Sequence, residues 1–294
     1  MITHTFNSFQ KFANSLSLPN MKPYIERRKR LAMRLNRSFW GIDSESDHMV
    51  VVGSIGRKTT PGPAKDIDVL FQLPQETRRR VSGFMGNSQS ALLQIIRNEL
   101  RKTYPETKIR GDGQVVVVGF SDTMKFEVVP AFIQNDGSFL YPDSNVGGQW
   151  KCCNPKAEQI AFDELNEKLD GKLRHLCRMT RVWRKRFSID LPGIFIDATS
   201  YHFLNDWQYR DENYEYYDWM FRDYMGYLSS IDPNRKIWFV PGSNAKVCRP
   251  FNIVKRASEA HSISSDACEF SLKGDHRRAF LRWQQIFGGR FSGK

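Results

Sequence analysis

Apolar positions along this chain change their period near residue 150. Upstream they fall in short runs rich in β-branched and aromatic residues, bounded by Gly, Pro, Ser and Asp. From Asn154 onward they recur at helical spacing. Met49-Val50-Val51-Val52 predicts a short strand that stops at Gly53-Ser54, and Ile67, Val69, Leu70 and Phe71 predict a second. Residues 114–120 and 124–130 predict two more strands, joined by the polar loop Ser121-Asp122-Thr123. Helical spacing marks residues 23–39, with Ile25, Ala32, Leu35 and Phe39 on one side of a basic helix expected to brace both lobes. It also marks residues 90–104, through Leu92, Leu93, Ile96 and Leu100. Beyond Asn154, breaks fall at Leu191-Pro192-Gly193, Asp232-Pro233-Asn234 and Pro241-Gly242-Ser243. The pattern predicts an α+β chain: a mixed-sheet lobe over residues 1–150 that includes the N-terminal bracing helix, and a mostly helical lobe over residues 151–294. Residues 288–294 read as a loose tail.

The first of these strands runs into Gly53-Ser54-Ile55-Gly56-Arg57-Lys58-Thr59, a small-residue turn that opens a helical turn, whose backbone N–H groups favour an anion. The second carries Asp66 and Asp68 two apart, so both carboxylates leave one face of the sheet. Nothing apolar can pack there. The two charges repel unless a cation lies between them, and Mg²⁺ held by one or two carboxylates plus phosphate oxygens is the usual solution. A second metal needs a third acid, for which Glu127 is the candidate. Phe126 and Val128 share one face of its strand and Lys125, Glu127 and Val129 the other, so Glu127 can face the side that carries Asp66 and Asp68. Singly, a Gly-Ser turn or an Asp-x-Asp is commonly structural; in this order they form a pattern that chance rarely supplies.

With these residues the chain resembles the nucleotidyltransferases related to cyclic GMP-AMP synthase and the bacterial cyclic-oligonucleotide synthases, the CD-NTases of anti-phage (CBASS) signalling. The resemblance runs from about Pro23 to Phe291. It is carried by Gly53-Ser54 with Thr59, by Asp66-x-Asp68 and by Phe126-Glu127-Val128-Val129-Pro130-Ala131-Phe132. Asp136-Gly137-Ser138-Phe139-Leu140-Tyr141-Pro142-Asp143, Gly147-Gly148-Gln149-Trp150, Asn154-Pro155 and Trp283-x-x-Ile286-Phe287-Gly288 support it. Many relatives have Asp where this chain has Glu127, whose extra methylene still permits ligation.

The resemblance implies a two-lobed polymerase-beta-like fold in which Gly53 and Ser54 hold a triphosphate and Asp66, Asp68 and Glu127 bind two Mg²⁺ ions, replaceable by Mn²⁺. One ion would activate a ribose hydroxyl for in-line attack on an α-phosphate, the other neutralise the departing pyrophosphate, and a second round would close a ring. It further implies ATP, with GTP or another NTP, as substrate, and a separate effector protein that senses the product. Arg178 or Arg181 is expected near the triphosphate and Tyr201 near a base. The Pro/Gly-rich residues 59–65 are expected to form a loop that closes over substrate. A linear-product polymerase and an inactive nucleic-acid-binding relative are the alternative readings.

Charge and composition extend this picture. Lys and Arg number 44 against 32 Asp and Glu, a net +12 that implies an anionic partner without naming it; a nucleic-acid activator is compatible but not required. A helix over residues 171–187 places Leu173, Leu176, Thr180, Trp183 and Phe187 on one stripe and Arg174, Arg178, Arg181 and Lys185 on another, which is either a solvated face or a phosphate-binding one. The aromatic-rich residues 214–227 read as a helix packing face. No run approaches the ~18 apolar residues of a membrane span, and the start lacks a signal-peptide layout. Five irregularly spaced cysteines argue against a disulfide framework, and the pair Cys152-Cys153 has no His in the ten residues before it, which does not suit zinc. A cytoplasmic monomer without membrane contact is the expectation.

Overall fold

The structure, a computed structural model, describes residues 4–17 and 21–292. In chain order its elements are α1 (His4–Ser15), α2 (Lys22–Phe39), β1 (Met49–Val51), the single turn α3 (Gly53–Gly56), β2 (Asp66–Gln72), α4 (Gln75–Ser82), α5 (Ser88–Arg101), β3 (Lys108–Asp112), β4 (Val115–Gly119), β5 (Lys125–Ile133), β6 (Phe139–Asp143) and β7 (Gln149–Cys153). There follow α6 (Pro155–Lys168), α7 (Lys172–Arg186), α8 (Gly193–Asp206), α9 (Tyr217–Ser229), β8 (Ile237–Phe239), β9 (Lys246–Cys248), α10 (Ile253–Leu272) and α11 (His276–Phe287). The α+β class is present, with the sheet strands before residue 154 and mostly helices after it, apart from the β8–β9 hairpin.

Two compact units emerge, and neither is continuous in sequence. One comprises residues 21–57 and 63–157; the other gathers α1, the stretch Lys58–Gly62 and residues 158–292. The expected division at residue 150 therefore differs at three places: α1 and Lys58–Gly62 group with the helices, and the sheet unit runs on to Ala157.

The first unit is built on a seven-stranded sheet in the order β1-β2-β5-β4-β3, with β6 on the far end of β5 and β7 beyond it. β2 and β5 run parallel and every other pair antiparallel. Alternation explains the covered face. Ile67, Val69 and Phe71 of β2, Phe126 and Val128 of β5 and Val116 and Val118 of β4 are almost fully buried. α5 packs on β3, β4 and β5 with Leu92, Leu93, Ile96 and Leu100 turned inward. α2 sets Tyr24 flat on Phe126, ring centroids 5.7 Å apart, and Phe39 on Phe71. β3, β6 and β7 have no clear signal in the sequence. β3 buries only Ile109 of five residues, and β7 buries none of its own, so neither shows a readable alternation.

The helical unit has an aromatic centre. Phe9 of α1 meets Trp283 edge-on at 4.9 Å and Phe291 at 5.0 Å, while Phe12 packs on Phe287. Phe291 is 1% exposed, so the supposed tail is in the core through this residue; one aromatic in a Gly-rich stretch is too weak a periodic signal to reveal that. Tyr217, Phe221 and Tyr224 are buried in the same core, as a packing face requires. β8 and β9 form a two-stranded hairpin within the otherwise helical region, each strand burying one residue, Trp238 and Val247.

A buried ion pair crosses this unit. Arg181 Nη1 donates to Asp197 Oδ1 at 2.6 Å, and Arg181 Nη2 to the carbonyl of Gly193 at 3.0 Å. Asp197 is 0% and Arg181 5% exposed. Thr59 Oγ1 donates to the second Asp197 oxygen at 3.0 Å. Arg178 Nη2 donates to the Lys58 carbonyl at 2.8 Å, Arg290 Nη2 to the Gly62 carbonyl at 2.7 Å, and Gly62 N to the Leu16 carbonyl at 3.3 Å. The loop expected to close over substrate is thus tied, from Lys58 to Gly62, to the helices. Arg181→Ala leaves Asp197 as a buried charge without its cationic partner, and is expected to cost about 3–5 kcal/mol in chemical denaturation, with Arg181→Ala in an Asp197→Asn background costing less. Equal losses in the two backgrounds would show that the pair is not coupled.

Candidate active site

Parallel pairing of β2 with β5 sets Asp66 beside Lys125 and Asp68 beside Glu127. Because side chains alternate, these four leave the face opposite the buried Ile67, Val69, Phe126 and Val128. Val117 of β4 lies opposite Glu127 and extends the row as an apolar flank. The structure therefore brings together the three predicted acids.

The Gly-Ser turn reaches the same place. Val52 N donates to the Asp68 carbonyl at 2.9 Å, which ends the pairing of β1 with β2 and turns the chain into α3. Gly53 takes φ +63°, and a Cβ built on it would lie 1.9 Å from Asp68 Oδ2 and 2.8 Å from its Cγ. Only glycine permits both the left-handed backbone and the close approach of that carboxylate. Ser54 follows in the first turn of α3, and Arg57 N closes that turn on the Gly53 carbonyl at 3.1 Å.

Electrostatics single out Asp68. Burial, with the negative charges of Glu127 and Asp66, pushes its carboxyl up to about 6, against the opposing pull of Arg57 and Lys125. Two cations that the sequence reading left without a role thus belong to the site. Arg57 is 7% exposed. Lys125 places Nζ 3.0 Å from Asp66 Oδ1 and 3.6 Å from Glu127 Oε1. The signal for Lys125 was available, since it stands two residues before Glu127 and must share its face; for Arg57 none was, because its partner lies on another strand.

Among the described residues no three His, Cys, Asp or Glu side chains already form a metal-binding group. The donor set nonetheless fits a hard divalent cation: three carboxylates leave one sheet face, and burial, with the nearby charges of Glu127 and Asp66, disfavours an ionised Asp68 that a cation would stabilise.

The helical unit holds the remaining candidates. Arg181 is not an available phosphate ligand, because its buried guanidinium is committed to Asp197 and Gly193. The expected basic stripe on α7 is broken for that reason, and also because Arg174 pairs with Asp163 and Arg178 reaches the Lys58 carbonyl. Periodicity could not reveal this, as Asp197 sits on the next helix. Tyr201 is partly exposed at the core margin, its ring 5.7 Å from that of Phe162.

Comparison with known proteins bears on family and fold. The sequence profile of the Second Messenger Oligonucleotide or Dinucleotide Synthetase domain matches residues 3–166. A probable cyclic nucleotide synthase of Bacillus cereus (strain VD146) is 23% identical over 189 residues, which cover 56% of this chain and 51% of the relative. The cyclic AMP-AMP-AMP synthase of an Acinetobacter species is 26% identical over 178 residues, 56% of this chain and 50% of the relative. The chain spans about half the length of the curated relatives it matches. Among solved structures, CdnC of E. coli MS115-1, in a complex with HORMA-deltaN, has a TM-score of 0.71 at 16% identity, covering 99% of this chain and 98% of that one. The cyclic AMP-GMP synthase DncV of Vibrio cholerae, with a linear intermediate, has 0.61 at 15%, covering 98% and 86%. These two likenesses establish a shared fold. Since the matching profile takes in more than half of the chain as well as all three acids and the Gly-Ser turn, this protein belongs to the Second Messenger Oligonucleotide or Dinucleotide Synthetase family.

Proposed function

We propose that the protein joins nucleoside triphosphates, ATP and a second NTP among them, into a cyclic di- or trinucleotide that a separate effector reads in anti-phage signalling. The reaction is attack of a ribose hydroxyl on an α-phosphate with release of pyrophosphate. The observation that carries this reading is the seating of the Asp68 carboxylate against Gly53, with Glu127 beside it on the paired strand. A phosphate-binding turn and an acidic face are thereby built as one unit.

In this reading the backbone of Gly53 and the Ser54 residue receive the triphosphate, while Asp66, Asp68 and Glu127 hold Mg²⁺, or Mn²⁺ in its place. When bound, such ions supply positive charge at the ribose hydroxyl and at the departing phosphates. Asp68 packs against the turn at Gly53, so its carboxylate is held beside the residues that would receive the phosphates. Arg57 adds a fixed positive charge near Asp68. Tyr201 is assigned to base stacking. Arg178 is assigned to holding Lys58.

Incubation with radiolabelled ATP, GTP, CTP and UTP plus Mg²⁺ or Mn²⁺, followed by phosphatase and mass spectrometry, is expected to yield a phosphatase-resistant cyclic product. The Asp66→Ala, Asp68→Ala double variant is expected to yield none; linear products alone, or turnover near wild type in that variant, would overturn the proposal. Gly53→Ala is expected to lower turnover about a hundredfold, since its methyl displaces the Asp68 carboxylate on the ångström scale. Unchanged kcat/KM in that variant would separate turn from carboxylates.

The raised Asp68 pKa has a definite sign in stability. The folded protein holds this proton more tightly than the unfolded chain, whose Asp titrates near the ordinary value. Stability of the metal-free protein therefore declines as pH rises through the interval from about 4 to about 6 and stays lower above it. Asp68→Asn, without added metal, is expected to raise Tm at pH 7.5, a gain on the order of 1–2 kcal/mol that closes as pH falls toward 4.

A further inference from the structure

Lys125 stands where the proposed site most needs a cation. Strand register puts it directly beside Asp66, and alternation puts it on the face of Glu127 two residues on. Its ammonium accordingly lies 3.0 Å from an Asp66 oxygen and 3.6 Å from a Glu127 oxygen. A divalent ion held by these carboxylates would draw on oxygen atoms that the ammonium already engages, and the two cations would repel each other.

The two positive side chains near the acids differ in freedom. Arg57 is 7% exposed and therefore stays in place. The Lys125 side chain is 43% exposed and its tether is long, so it can swing into solvent after giving up two ion pairs of small worth. We infer that Lys125 is a built-in competitor for the carboxylate face, which it neutralises in the empty enzyme and vacates when a divalent ion arrives.

This inference rests on the assignment of Asp66, Asp68 and Glu127 as metal ligands. It entails that the nucleotide-free protein binds divalent ions weakly. A metal that arrives already bound to a triphosphate, whose oxygens complete its coordination, displaces the ammonium more readily than the free ion does. The site then fills with metal and substrate together, and the acidic face is not left bare between turnovers.

Mn²⁺ titration of the nucleotide-free full chain, followed by electron paramagnetic resonance, tests this. Lys125→Met is expected to bind Mn²⁺ about three- to tenfold more tightly than wild type, the range set by losing two weak ion pairs and one nearby charge. Lys125→Arg, which keeps the charge, is expected to stay near wild type. Wild-type binding that exceeds that of the Asp66→Ala, Asp68→Ala control, together with unchanged or weaker binding in Lys125→Met, would overturn the inference alone. Wild-type binding no tighter than that control would overturn the metal assignment beneath it.

Discussion

Seating the Asp68 carboxylate on the backbone of Gly53 is the constraint on which the rest of the site depends. A side chain at residue 53 would occupy the position of a carboxylate oxygen, so the turn after β1 and the acid on β2 can coexist only through the absence of a Cβ. The hydrogen bond from Val52 N to the Asp68 carbonyl fixes the same two segments through the backbone. Packing on the other face of the sheet then holds β2 still. Ile67, Val69 and Phe71 are locked among Phe126, Val128 and the residues of α2 and α5, so the acidic side inherits rigidity from the apolar side.

That rigidity keeps like charges close together. Asp68 lies beside Glu127 and has its carboxyl raised to about 6, a state that burial and repulsion make unfavourable to ionise. Lys125 and Arg57 offset part of the repulsion, one from a partly exposed side chain, the other from a buried one. A face arranged so is poised to take positive charge. The helical unit solves its own charge problem differently. Arg181 and Asp197 are both removed from water, but they satisfy each other, and Thr59 supplies a further donor to the carboxylate. On the sheet the like charges stay partly unbalanced, whereas among the helices opposite charges tie two elements together.

Much of the site was legible before any coordinates. Asp66 and Asp68 declare a shared face by spacing alone, and Glu127 declares its face by the alternation of Phe126 and Val128 around it. Their convergence was not legible in the same way, because it requires that β2 choose β5 as a parallel neighbour and choose this register among several. A slip of one residue would have turned Glu127 away. Arg181 shows the opposite case. Its periodic neighbours Arg174, Arg178 and Lys185 read as one basic face, yet a single acid on α8 takes Arg181 out of solvent. The weak strands β3 and β7 and the core role of Phe291 were hidden because each depends on partners supplied by distant segments.

By itself the sequence determined what local periodicity can encode: an α+β chain, most of the long helices, the central strands, the turn at Gly53-Ser54, and three acids able to share a face. Tertiary structure alone decided which strand pairs with which, that α1 and Lys58–Gly62 group with the helices, that Lys125 pairs with Asp66 and Arg57 lies near Asp68, and that the Arg181 guanidinium is committed to Asp197. The physical reason is common to these outcomes. Backbone alternation and helical repeat act between residues a few positions apart, whereas pairing, burial and ion-pair choice are settled by free energy summed over contacts between segments far apart in the chain.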